Sequence, residues 1–497
     1  MNGISAVSGT PEGFCDQEIN GILQQWLNGL KQKPTRVLIL PPDYTRFHSN
    51  GGLITRMLYE MLAPSCQVEV MIASGTHVRI SQEQLQHMYA GIPPERIMCH
   101  DFRHDTVRIG TIPEKYMDEI SDGQMRQEIP VVINRKLTEG CFDLILSVGQ
   151  VIPHEVVGMS NYSKNIFVGC GGIEMINASH MLGALVGIEN IMGKDHMPAR
   201  RLFDYAEEHF LRQIPLVYIM TVTDAPEGKI RTHGIFIGRD RSYFEDAVAL
   251  SQKLNITILD KPVSKIVTFL DPREFSSTWV GNKSIYRTRM AIADQGELVV
   301  LAPGVRRFGE DSELDYLIRK YGYSGRENLL KQVKVNKDLQ KNLSAAAHMI
   351  HGSSDGRFHI TYCTRYLSDQ EIKSVGYDYQ RYEDAVKRYT PEKLKDGWNT
   401  LNNGEEIYFI SNPALGLWVN RARLEKKARK MICRLWLMDI LILAMLKLPK
   451  SIWKLSYHVL RLSVGNIWIT FARTCAHVHG DVSSRKYPNL IKYRLHY

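Results

Sequence analysis

The sequence lacks several things, and each absence removes a class of protein. No Cys-x-x-Cys pair occurs; Cys15, Cys66, Cys99, Cys141, Cys170, Cys363, Cys433 and Cys475 are scattered along 497 residues. That spacing offers neither a disulfide framework nor a zinc ribbon, and it fits a reducing, cytoplasmic setting. Residues 1–14 hold no basic region followed by an apolar run, so no signal peptide is read there. The longest apolar run, Leu435–Leu446, is twelve residues broken by Asp439, too short to span a bilayer. There is no internal repeat and no low-complexity tract. A G-x-x-x-x-G-K-[ST] loop is missing, and no G-x-G-x-x-G follows the strand-like Phe142–Val148, which removes two common nucleotide fingerprints.

Net positive charge is also absent outside one region. The net charge is +9, but residues 426–497 alone carry 14 Lys+Arg against Asp439 and Asp481, leaving 48 bases against 51 acids in the rest. The main body therefore shows no polyanion signature, and no nucleic-acid partner is expected. In the tail, Trp453–Leu462 sets Lys454, His458 and Arg461 among apolar residues. Such a segment suits a membrane surface, a docked helix or a plain extension. With 44% hydrophobic and 23% charged residues, the chain is otherwise composed like an ordinary globular protein.

What is present is alternation. Strand-like Arg36–Leu40, Gln67–Ala73, Arg96–His100, Ile129–Ile133 and Phe142–Val148 are interleaved with helix-like Leu53–Leu62 and Ser81–Tyr89. A second series begins near 262, with strands at Lys265–Leu270, Glu297–Ala302, Phe358–Tyr362 and Glu406–Ile410. Its helices fall at Ser284–Ala293 and near 312–320 and 326–334. Between the series lie β-like Leu216–Asp224 and Lys229–Ile237 and a helix at Tyr243–Leu254. Alternation of this kind implies parallel strands with crossover helices. The expected class is α/β: two α/β domains with mainly parallel sheets and a ligand cleft between them. Residues 1–260, joined by 395–425, form the first domain, 261–394 the second, and 426–497 a basic, partly apolar tail.

In open α/β sheets, ligands sit beyond the carboxyl ends of strands, which directs attention to the loops after Leu40, Ala73 and Val148. The first places Asp43, Thr45 and Arg46 together; a guanidinium is the usual bidentate clamp for a carboxylate or phosphate. A capped turn with a surface ion pair would look the same. The second reads Ser74-Gly75-Thr76-His77, with Gly75 allowing a tight turn and His77 able to serve as an acid or base. An ordinary loop histidine is the alternative. The third is long: His154, Gly158, Ser160, Lys164, several further glycines and His180. Gly-rich backbone with Ser and Lys suits phosphate. The combination carries more weight than any single member.

Taken together, the three loops resemble the nickel-dependent lactate racemase family, over roughly residues 30–420. The matching features are the Asp-x-Thr-Arg turn, the Gly-Thr-His loop and the Pro-His…Gly-x-Ser…Lys…Gly…His segment. The resemblance implies a nickel-pincer nucleotide (pyridinium-3-thioamide-5-thiocarboxylic acid mononucleotide) attached to Lys164, with His180 as the protein ligand to nickel. It implies His77 and His154 as a catalytic pair, each serving one enantiomer of a 2-hydroxy acid while hydride leaves and returns at C2. Arg46 and Lys283 would bind substrate. Asp43, Thr45, Gly75, Gly158 and Ser160 would contact the cofactor. The partners implied are a small 2-hydroxy acid and the proteins that make the cofactor.

The sequence also departs from the family. Arg46 is followed by Phe47, not Pro, and the usual Ser-Gly-Gly-x-Lys is Ser160-Asn161-Tyr162-Ser163-Lys164. Bulk and hydrogen bonding from Asn161 and Tyr162 beside Lys164 point away from lactate, toward a larger acid such as a sugar acid or hydroxy diacid. The leading expectation is a racemase or epimerase. The alternatives are a hydride-transfer oxidoreductase with the same cofactor, and a non-catalytic protein that binds an anionic small molecule.

Overall fold

The computed structural model describes residues 3–423; the whole of the basic tail from 426 lies outside the described residues. Two sheets form the frame. The first contains β1 (Ile4–Val7), β2 (Arg36–Leu40), β3 (Gln67–Ile72), β4 (Ile97–Cys99), β5 (Leu144–Gln150), β6 (Leu216–Asp224) and β7 (Arg231–Gly238), in spatial order β1-β7-β6-β5-β2-β3-β4. From β6 to β4 all neighbours are parallel, and β7 and β1 close one edge in antiparallel fashion. The second contains β8 (Val263–Phe269), β9 (Ile292–Ala302), β10 (His359–Thr364), β11 (Asp378–Arg381), β12 (Gly397–Thr400) and β13 (Glu406–Ile410), in order β11-β10-β9-β8-β13-β12. Only β12 runs antiparallel to its neighbour. The class is α/β with mainly parallel sheets, as expected.

The central strands are apolar without alternation because both sheet faces are covered. All seven residues of β5 are buried, as are the last four of β2. Helix α1 (Gly51–Leu62) buries Ile54, Met57, Leu58 and Leu62 against one face of the first sheet. The other face belongs to an apolar cluster that runs from Leu38 to Val419 and so passes through both lobes. Within it, α2 (Ile173–Val186) of the first lobe packs against α4 (Leu343–Gly352) of the second. Arg326 seals the end of α2 by donating to the carbonyls of Ala184 (3.2 Å) and Leu185 (2.6 Å), a favourable place for a cation.

Several boundaries differ from the expectation. Residues 397–410 belong to the second sheet, not to a return into the first domain, because β13 pairs with β8. Only Leu417–Asn420 returns, pairing in parallel with Ile256–Leu259. Ile129–Asn134 stands outside the main sheet, in an antiparallel pair with Thr106–Ile112. The expected helix Ser284–Ala293 is α3 (Lys283–Thr288), and Ile292 already opens β9. The short edge strand β1 was not foreseen. Among the described residues, no helix is long and apolar enough to cross a membrane.

Each sheet changes winding direction at one place: between β2 and β5 in the first, and between β8 and β13 in the second. At such points the loops leaving adjacent strands diverge and open a crevice. Residues after β2, β3, β5 and β8 line a single cavity. The lobes are also bridged directly. Arg103 meets Asp311 at 2.8 Å, Asn177 donates to the Lys341 carbonyl at 3.2 Å, and Asn412 reaches His48 at 3.3 Å.

The loop after β5 folds back on itself, pairing Pro153–His154 with Gly158–Met159. Gly158 closes that pair at φ 79°, where a Cβ would come within 1.9 Å of the Lys194 carbonyl oxygen. Gly158→Ala combines a left-handed backbone penalty with a clash against main chain, together about 3 kcal/mol. Equilibrium unfolding of the variant should show a loss of that size; an unchanged transition would mean the turn does not need glycine.

Candidate active site

The cavity holds about 110 Å³. On its first wall, Asp43 caps a short 3-10 turn, Tyr44–Ser49, by accepting the Thr45 N–H at 2.8 Å and the Thr45 hydroxyl at 2.6 Å through Oδ1. Its other oxygen accepts Nδ1–H of His77 at 2.6 Å. His77 is carried there by Gly75, which turns at φ 55° and donates its N–H to the Gly169 carbonyl at 3.0 Å; a Cβ at that glycine would press on Val168 O at 3.2 Å. Burial opposes a charge on Asp43, but His77 outweighs it and holds the carboxyl below the ordinary range. With Nδ1 committed to Asp43, neutral His77 presents a lone pair at Nε2.

His154 is set the other way. Its Nδ1 accepts the Val156 N–H at 3.1 Å, so the neutral ring carries its proton on Nε2. Burial drives its pKa well below the ordinary histidine value. Glu155 stands behind it, with Oε2 3.8 Å from Nδ1. Burial works against the Glu155 charge, while the cations Arg287 and Arg46 favour it, and the carboxyl is held below its ordinary range.

Lys164 leads into a single π turn, Asn165–Gly169, a distortion often found at functional sites. Its buried amine is pushed down to about 8 by desolvation, with Arg46 adding to the effect. His180 sits in the middle of α2. Its Nδ1–H donates to the Ile176 carbonyl at 2.6 Å, which leaves the Nε2 lone pair for a ligand. Burial pushes its pKa down to about 4, so the ring is neutral. A neutral imidazole with the far nitrogen pinned by a carbonyl is the arrangement of a metal-binding histidine.

From the second lobe, Lys283 opens α3 as a buried residue and not a surface one; its Nζ has no hydrogen-bond partner. Burial, and then Arg46, lower its pKa. The Arg46 guanidinium lines the same cavity and makes no ion pair among the described residues. Two unpaired cations facing a cavity suit an anionic ligand.

His77, His154, Lys164, His180, Arg46, Lys283, Asp43, Gly75 and Ser160 thus line one cavity, while Thr45 and Gly158 do not. Direct cofactor contact does not fit Thr45, whose hydroxyl is spent on Asp43. Nor does it fit Gly158, which packs on residues 191–194. The Ser160 hydroxyl is fully used as a brace, donating to the Gln150 carbonyl at 2.6 Å and accepting the Ile152 N–H at 3.0 Å. Asp43 serves His77 rather than a ribose. Tyr162 turns away from Lys164: its ring stacks on Phe244 and its hydroxyl donates to the Arg239 carbonyl at 3.0 Å. Asn161 does line the cavity, with Nδ2 unpartnered.

Sequence reasoning passed over several residues. Arg200 is fully buried and clamps the strained Asn161-Tyr162 turn, donating to the carbonyls of Met159 (2.6 Å) and Asn161 (3.2 Å) and to Ser163 Oγ (3.2 Å). Glu155 was visible only as a neighbour of His154. His348 and His351, three apart on α4, share a helix face and both reach the cavity. That spacing was the available signal.

Residues 19–192 match the family model for the lactate racemase N-terminal domain, a span that contains all three first-lobe loops. Over that span the chain is similar to the lactate racemase N-terminal domain. The fold agrees with solved structures. A protein from Thermotoga maritima aligns with TM-score 0.71 at 24% identity, over 82% of this chain and 99% of its own. The lactate racemase apoprotein of Thermoanaerobacterium thermosaccharolyticum aligns with TM-score 0.57 at 17% identity, over 80% of this chain and 92% of its own. No curated protein sequence matches the chain.

Lys164 offers a direct check on the electrostatics of the cavity. A lysine amine lowered from 10.5 to about 8 is neutral above that pH, so its reactivity rises through pH 8 and not through the range of surface lysines. Reductive methylation followed by peptide mass spectrometry should give a half-maximal rate at Lys164 near pH 8. A half-point near 10.5 would show the amine to be solvated.

Proposed function

We propose that this protein is a nickel-dependent racemase or epimerase of a 2-hydroxy acid. The observation that carries the reading is one cavity in which a nucleophilic buried amine, Lys164, and a metal-oriented imidazole, His180, stand with a carboxylate-backed base, His77, and two unpaired cations. These residues fit a nickel-pincer nucleotide: Lys164 would hold it covalently, since a desolvated lysine beside another cation is an activated nucleophile, and His180 would ligate the metal through Nε2. When bound, that group supplies the acceptor and donor of hydride at C2. Proteins that make the cofactor would be needed to load the chain.

The remaining work falls to this chain. Arg46 and Lys283, from opposite lobes, hold the substrate carboxylate and so fix C2. Nε2 of His77 takes the hydroxyl proton as hydride leaves, and Asp43 stabilises the imidazolium that forms. The planar 2-keto acid turns, and its carbonyl oxygen meets Nε2–H of His154. His154 takes a proton from solvent on Nδ1, passes its Nε2 proton to the new hydroxyl as hydride returns and ends neutral, while His77 releases the proton it took to solvent. To serve as base for the other enantiomer, His154 exchanges tautomers and gives up the Val156 N–H. The loss of one such hydrogen bond costs roughly 1 kcal/mol, small beside the barrier of the reaction.

One observation favours a second reading, a hydride-transfer oxidoreductase on a 2-hydroxy acid with the same cofactor. In its resting tautomer His154 is a donor and not a base, so the cavity as it stands holds one ready base.

The test is to purify the protein from cells that also express the cofactor-making proteins, then measure nickel and intact mass. The expected result is about one nickel per chain and an added mass that disappears in Lys164→Ala. Inversion of an enantiopure 2-hydroxy acid without net oxidation supports the racemase, and accumulation of the 2-keto acid supports the oxidoreductase. Absence of both nickel and adduct would remove both readings.

A further inference from the structure

Glu155 and His351 line the cavity, Arg287 does not, and the chemistry at C2 uses none of the three. Glu155 Oε2 is buried without a hydrogen-bond partner. Arg287, fully buried, uses Nη1 on the Gly416 carbonyl at 3.4 Å and leaves Nε and Nη2 unpaired. His351, 2% exposed, leaves both ring nitrogens unpaired. Glu155 lies within electrostatic reach of both Arg287 and His351. The fold does provide partners where it needs them: His348, one turn earlier on α4, is held by Tyr286 OH at 2.7 Å and Tyr323 OH at 2.9 Å. Buried polar groups left unpaired in one place mark a ligand's position.

We infer that Glu155 and His351 form a subsite for a hydroxylated chain, so that the substrate is a polyhydroxy 2-hydroxy acid of the aldonate type and not lactate or a hydroxy diacid. The inference rests on the reaction proposed above and names its substrate class. A hydroxyl can donate to the Glu155 carboxylate and accept from His351, satisfying both groups at once. A methyl group would satisfy neither. A second carboxylate would face the Glu155 carboxylate in the same wall.

The experiment uses the full-length holoprotein and calorimetric titration with L-threonate, L-lactate and L-malate. A site built to hydrogen-bond a hydroxyl rejects analogues without it by large factors. Threonate should therefore bind at least about tenfold more tightly than either competitor. His351→Leu should cost threonate at least about tenfold while lactate changes less than about twofold, and His351→Gln, which keeps a donor and an acceptor, should retain most of the preference. Thermal melts of both variants establish that they fold. The inference is overturned if lactate or malate binds as tightly as threonate, or if His351→Leu weakens all three alike. Inversion at C2 is followed in parallel. A threonate preference without inversion supports the subsite and removes the racemase reading; inversion of lactate in preference to threonate removes the subsite and keeps the reaction.

Discussion

A carboxylate–imidazole contact, 2.6 Å between Asp43 Oδ2 and His77 Nδ1, ties the loop after β2 to the loop after β3 and decides which nitrogen of His77 is free. Everything else in the first wall is arranged around it. Thr45 saturates the second Asp43 oxygen, Gly75 brings the histidine within reach, and the Gly75 N–H binds that loop to Gly169, five residues beyond Lys164. His154 then acquires the opposite tautomer from a single backbone N–H, that of Val156. The two imidazoles therefore face one cavity with different proton inventories, which neither residue's identity alone would specify.

The cavity concentrates features that folding alone would avoid. Lys283 Nζ, Glu155 Oε2, Asn161 Nδ2 and His351 are all buried and unpaired. Each such group costs on the order of 1–3 kcal/mol. The compensation lies in the apolar cluster that runs through both lobes and in Arg200, which clamps the left-handed turn at Asn161-Tyr162 from beneath. A site of this kind is stable because the frame around it is over-determined.

The frame was largely legible because buried parallel strands announce themselves: Arg36–Leu40 and Leu144–Gln150 are apolar on both faces, and the rule that ligands sit beyond strand ends led directly to the right loops. Less legible was anything set by which sheet a strand joins. Residues 397–410 carry no mark that assigns them to β8's side, and the edge strand β1 is too short and half-exposed to stand out. The run after Thr288 has helix-compatible residues, yet Ile292 starts a strand whose bulge takes Gln295 to φ 62°. At the site, residues in sequence motifs were found, and those contributed by packing were not. Arg200, Arg287 and His351 come from elements whose sequences look like ordinary helices, and only their three-dimensional neighbours give them work.

The central claim is that the cavity holds its histidines in assigned tautomers: His77 ready as a base, His154 as a donor and His180 as a metal ligand. Nitrogen-15 NMR of histidine-labelled protein, with signals assigned by single substitutions, reads those tautomers directly. The account predicts Nδ1–H forms for His77 and His180 and an Nε2–H form for His154. Finding His77 and His154 in the same tautomer, or His180 protonated at Nε2, would contradict it.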